Sequence, residues 1–118
     1  MNRFLNTFLK GKSLDNEEFA TFDDNRVSCE PTLPHPGTTM QVNYRGLLKN
    51  AGANHIYFHY GFDHWTNIST IPMNHSDDGD FDVSIIAAGD HEINFCFKDC
   101  AGNWDNNQGS NWTIKLQQ

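Results

Sequence analysis

From residue 38 onward the chain returns again and again to one pattern: apolar side chains at every second position, interrupted about every ten residues by glycine, asparagine or aspartate. In TTMQVNY the alternating residues are Met40, Val42 and Tyr44; in HIYFHYG they are Ile56, Phe58 and Tyr60, with Tyr57 and His59 on the opposite face. Phe81, Val83 and Ile85 repeat the pattern, as do Ile93, Phe95 and Phe97 against Asn94, Cys96 and Lys98, and finally Trp112, Ile114 and Leu116. A period of two collects side chains on one face only in a strand, because a helix would scatter the same residues around its circumference. Ile68 to Met73 reads as a further strand, placed at a sheet edge by Pro72, which has no N–H to donate. About seven short strands with such turn signals predict an all-β sandwich.

The first 37 residues break the pattern. Phe4, Leu5, Phe8 and Leu9 are spaced like one face of a short helix, and a polar stretch follows them. Val27–Glu30 reads as a strand. PTLPHPG, with Pro31, Pro34 and Pro36, reads as an extended edge or a linker. The expected organisation is therefore a 1–37 extension, helix-like at its start, followed by a 38–118 sandwich. A chain of 118 residues is long enough to bury a core without metals or staples.

Charge and hydropathy exclude several classes of function. The formal net charge is −7, whereas nucleic acid and anionic membrane surfaces need clustered Lys and Arg. No apolar run approaches the length of a membrane span. The N-terminus lacks a continuous signal-peptide core, so the chain as it stands is expected in the cytoplasm; trimming of an export signal would make it extracellular. Cys29, Cys96 and Cys100 form an odd set with no CxxC, which fits a reducing compartment. On an extended strand Cys96 and Cys100 would stand about 13 Å apart, too far to bridge, unless a turn after Lys98 brings them together.

The three tryptophans fall into two groups. Trp112 shares its face with Ile114 and Leu116 and reads as core. Trp65 and Trp104 lie in polar loops, outside any alternating run. Such a residue either folds back to cap the core or offers an exposed platform. Sugars present an apolar C–H face ringed by hydroxyls, so their sites need an aromatic face beside amides and carboxylates. GNWDNNQGSN holds both within one loop.

Two competing chemistries are weaker. His55 and His59 would be about 13 Å apart along a strand, too far to share a zinc ion, and His64 adds no known ligand spacing. Asp77, Asp78 and Asp80 lack the order of a calcium loop. Neither a metal nor a cofactor is expected. Asp63, Asp99 and Asp105 are carboxylates that a glycosidase would need in a flanking pair, and Cys100 with His64 would make a nucleophile–base pair, but no motif supports either. The chain is not expected to be an enzyme.

HYGFDHWTNISTIPM, followed by AGDHEINFCFKDCAGNWDNNQGSNW, resembles the starch-binding carbohydrate-binding modules of families 25 and 53. The shared features are the H-x-G segment, the turn tryptophan, an apolar strand ending F-x-D, and G-N-W-D-N-N; together they cover roughly residues 38–117. The resemblance implies an immunoglobulin-like antiparallel β-sandwich that binds α-1,4-glucans without cleaving them. It makes His59, Trp65 and Trp104 the main sugar contacts. Asn106 and Asn107 would hold ring hydroxyls, and Asp105, ranked below them, would contact sugar or organise the loop. Cys100 stands where a glycine commonly follows the strand end, so a left-handed backbone there would be strained. The first 37 residues have no counterpart.

The partner implied is an α-glucan polysaccharide or oligosaccharide. A weak single site gains most from a repeated ligand, a homo-oligomer of the chain, or a carbohydrate-active enzyme alongside. The alternative reading is a regulatory module that contacts a glycogen-metabolism enzyme through its N-terminal extension. One topological tension accompanies the resemblance. The HYG and NFCF strands should be antiparallel neighbours, which sends their C-terminal ends to opposite ends of the sandwich. Trp65 and Trp104 then share a site only if a connection curls over the sheet or if the strand count differs by one.

Overall fold

The computed structural model describes residues 26–118, together with the backbone of Ala20–Thr21. The helix-like segment carrying Phe4, Leu5, Phe8 and Leu9 lies outside the described residues. In chain order the elements are β1 (Ala20–Thr21), β2 (Val27–Glu30), β3 (Thr39–Tyr44), α1 (Leu47–Asn50), β4 (Ile56–Phe62), β5 (Thr66–Pro72), β6 (Asn74–His75), β7 (Phe81–Ile86), β8 (Glu92–Asp99), β9 (Trp104–Asp105) and β10 (Trp112–Lys115).

Two antiparallel sheets pack face to face. One has the order β1-β2-β3-β7-β6; the other has the order β10-β8-β4-β5, with β9 added to β8. The β2-β3-β7-β6 and β10-β8-β4-β5 orders reproduce the A-B-E-D and G-F-C-C′ sheets of an immunoglobulin-like sandwich. The all-β expectation therefore holds, and the expected edge strand is β5. The sheet begins before residue 38, since Val27 and Cys29 of β2 lie in the core. Between β3 and β4 the chain makes one helical turn, α1.

The core follows the alternation. Phe58, Phe95, Phe97 and Tyr44 are essentially inaccessible. Tyr44 stacks on Phe97 with ring centroids 4.0 Å apart, bridging the two sheets. Burying each such ring contributes about 2–3 kcal/mol.

One strand departs from the pattern. β8 was expected to turn Asn94 and Cys96 to solvent, yet Glu92, Asn94 and Cys96 are all about 5% exposed. Two connections bring side chains onto its outer face: the turn after β4 reaches Asn94 and Glu92 through Trp65 and His64, and β9, paired beside β8, sets the Trp104 ring next to Lys98. That covered face carries the candidate site.

Candidate functional site

The register places the site. On β4, Ile56 and Phe58 point inward, so Tyr57 and His59 point outward, half-buried. His59 lies between Cys96 of β8 and Thr70 of β5. Its Nδ1 is 2.7 Å from Thr70 Oγ1. Burial first, and the nearby Lys98 ammonium second, hold the imidazole below its ordinary value. His59 is thus a neutral ring at physiological pH.

Trp65 reaches His59 through an unusual turn. Asp63, His64 and Trp65 have φ of 48°, 66° and 66°, three successive left-handed residues that are not glycine. Each such residue costs about 1 kcal/mol or more, so the surroundings must hold the turn. The Asp63 carboxylate accepts the backbone N–H groups of Asp90, His91 and Glu92 at 2.9, 2.7 and 3.1 Å. These bonds hold its carboxyl below the usual aspartate value. The Asp63 N–H donates to the Glu92 carbonyl at 3.0 Å, and the Trp65 N–H donates to Asn94 Oδ1 at 3.0 Å. Gly61 makes room underneath: a Cβ there would lie 3.0 Å from both Trp65 Cα and the Thr66 carbonyl oxygen. With these constraints the turn curls back over the sheet, and the Trp65 ring lies 5.8 Å from His59, tilted 32°.

Trp104 arrives from the other direction. The Asp99 carboxylate accepts N–H groups from Ala101 and Asn103 and the Asn103 side-chain amide, all within 2.9 Å. The chain reverses there, with Gly102 at φ +88°. β9 then pairs Trp104 with Lys98. Trp104 is 46% exposed, and its ring stands 5.2 Å from His59, nearly perpendicular at 85°. Both connections therefore bend toward the middle of the sheet, which resolves the topological tension. Cys100 is not among the left-handed residues, so the strain considered there does not arise. All three cysteines are free thiols, and burial, followed by the Asp105 charge, pushes the Cys96 thiol up to about 11.

The remaining expected contacts separate. Asn106 is exposed, its Oδ1 accepting the Gly109 N–H at 2.9 Å. Asn107 is half-buried with φ 57°, and its amide donates to the Asn111 carbonyl at 3.1 Å, so it shapes the loop. Asp105 takes the loop-organising arrangement of the two considered for it. It is 3% exposed and points inward, alternating with its neighbour Trp104 on the same strand. It accepts the Tyr44 hydroxyl at 2.6 Å and the N–H groups of Leu47 and Asn107 at 3.3 Å, with Arg26 at 3.8 Å. Its carboxylate is thus engaged from within the protein. The three aspartates considered for catalysis are all engaged in such internal bonds.

Sequence reasoning missed four members of this face. Tyr57 is two residues from His59 on the same face, and the alternation alone would have found it. Lys98 Nζ lies 5.0 Å from the Tyr57 ring and 5.8 Å from Trp104. Thr70 and Asn94 gave no local signal, since their roles depend on cross-strand register. Among the described residues no group of three or more His, Cys, Asp or Glu side chains is placed to hold a metal ion.

Residues 40–95 match the family model of a starch/carbohydrate-binding module (family 53). A curated relative, an alpha-amylase of Clostridium acetobutylicum, is 29% identical over 92% of this chain. The chain spans about 15% of that relative's length. No solved structure matches. Over residues 40–95, which carry His59 and Trp65, the chain is thus similar to the starch/carbohydrate-binding modules of family 53, the resemblance that its HYG segment and turn tryptophan express.

Proposed function

We propose that the chain binds α-1,4-linked glucans (starch, glycogen or maltooligosaccharides) and does not cleave them. The observation that carries this reading is the convergence of Trp65 and Trp104 on the neutral ring of His59. Ring planes inclined at 32° and 85° to the same imidazole cannot be closer than the difference of those angles, so the two indoles are inclined by upwards of about 50° to each other. Such a pair suits a ligand that turns between successive sugar rings, as an α-1,4-glucan does. A flat β-1,4 ribbon needs coplanar platforms.

If each indole removes about 100 Å² of apolar surface from water, stacking contributes about 2.5 kcal/mol per ring. Hydrogen bonds from Asn106 and His59 add about 1 kcal/mol each, and ordering the ligand offsets much of the total. The expected Kd is of order 10 μM to 1 mM. A site this weak works through repetition, so the natural ligand is a polymer, and a carbohydrate-active enzyme is the partner that gains from holding one. The non-catalytic reading is supported by the internal bonding of Asp63, Asp99 and Asp105, which leaves no carboxylate pair beside the aromatic face among the described residues.

Native electrophoresis with and without soluble starch or glycogen in the gel tests the proposal, using a non-binding protein as the mobility standard. Retardation that disappears in Trp65→Ala and Trp104→Ala is the expected result. Unchanged mobility of the wild type at several glucan concentrations would sink the proposal.

A further inference from the structure

We infer that Asn94, coupled to Glu92, is the residue that positions Trp65 for the ligand; this rests on the reading of the His59–Trp65–Trp104 face as the glucan site. Asn94 touches no proposed ligand position itself. It is 5% exposed, on the outer face of β8, beneath the turn that carries Trp65.

Both ends of its amide are engaged. Oδ1 accepts the Trp65 N–H at 3.0 Å, while Nδ2 donates to Glu92 Oε2 at 2.7 Å and approaches Thr113 Oγ1 at 3.3 Å. Glu92 is fixed in turn: its Oε1 accepts Lys115 Nζ at 2.9 Å, and its Oε2 lies 3.5 Å from His64 Nδ1. The network thus grips the left-handed turn by the Trp65 backbone, with the exposed His64 ring lying against its Glu92 end.

The need for this grip follows from the ladder. Pairing between β4 and β5 is irregular between Tyr60 and Phe62, and Trp65 lies outside the paired residues. Its N–H therefore has no cross-strand carbonyl, and a side chain must supply the acceptor. Only a side chain carrying an acceptor and a donor at this length satisfies both neighbours. Aspartate would set a second carboxylate against Glu92, and leucine would strand the Trp65 N–H and a Glu92 oxygen together.

The test is a double-mutant cycle on maltoheptaose binding with a ligand-free control. Asn94→Leu is expected to weaken binding about ten-fold in the wild-type background and less than about two-fold in the Trp65→Ala background. Val42→Ala, in the core face of the opposite sheet, serves as a destabilised control and leaves affinity unchanged. In protein labelled with 5-fluorotryptophan, the 19F resonance of Trp65, assigned through Trp65→Phe, broadens or splits in Asn94→Leu without sugar present. Should Asn94→Leu not fold, Asn94→Ser is measured instead, with the same coupling expected. An unaltered Trp65 resonance, or an equal loss of affinity in both backgrounds, overturns the inference. If the wild type binds no glucan, the functional proposal fails, and the fluorine spectrum still decides whether Asn94 holds Trp65.

Discussion

The His59 imidazole meets the Trp104 indole edge-on, 5.2 Å between centroids and 85° between planes, although the two residues come from strands on opposite sides of β8. Trp104 is held there from beneath, because its neighbour Asp105 is locked to Tyr44. The exposed platform and the buried anchor are adjacent residues of a two-residue strand.

Trp104→Ala should therefore separate binding from stability. The ring is about half exposed, so its removal changes the unfolding free energy by less than about 0.5–1 kcal/mol. Glucan affinity should fall at least about ten-fold. Trp112→Ala, in the core, should cost about 3–5 kcal/mol. Denaturant titration and affinity electrophoresis on both variants measure the contrast.

Tyr44→Phe removes the hydroxyl that donates to Asp105 and accepts the Leu48 N–H at 3.0 Å. With the buried carboxylate and the amide left short of a partner, stability should drop by about 1–3 kcal/mol. Glucan retardation should persist at temperatures where the variant stays folded.

His59 makes binding depend on pH in one direction. Its imidazole is held below the ordinary value by burial, then by Lys98. The folded protein thus takes up this proton less readily than the unfolded chain. The stability involved is fully present above the unfolded value of about 6.5 and is lost as pH falls through the lower folded value. A bound sugar buries the ring further, so affinity should be flat above the unfolded value and decline as pH falls through the lower folded one. Lys98→Met should raise the His59 midpoint, read from its imidazole resonances by NMR.

Asp63 sets an acid limit. Its folded carboxyl is held low by the N–H groups of Asp90 and His91 first. Its contribution is present above the unfolded aspartate value near 3.9 and is lost as pH falls through the folded one. Denaturation midpoints of the wild type should fall through that window, and those of Asp63→Asn should fall less steeply.

Gly61→Ala should displace Trp65. The added methyl meets the Trp65 and Thr66 backbone at 3.0 Å, where only a backbone shift relieves the contact. A loss of about 1–3 kcal/mol in stability and weakened glucan binding are expected together, measured by thermal unfolding and titration.

The strands, their inward faces and the separation of Trp112 from the two loop tryptophans were determined by the sequence alone. Period-two alternation is local: Phe58, Phe95, Phe97 and Ile114 declare their burial through neighbours two residues away. Left to the tertiary structure were the meeting of Trp65 and Trp104 at His59, the withdrawal of Asp105 into the interior, and the use of Asn94 beneath Trp65. Each depends on bonds between distant residues: Asp63 to the backbone 27–29 positions later, Tyr44 to Asp105 across 61 positions, and Trp65 to Asn94 across 29. Such bonds leave no periodic trace in the chain, because a carboxylate or an amide in a loop looks the same in sequence whether it faces a sugar or a buried N–H.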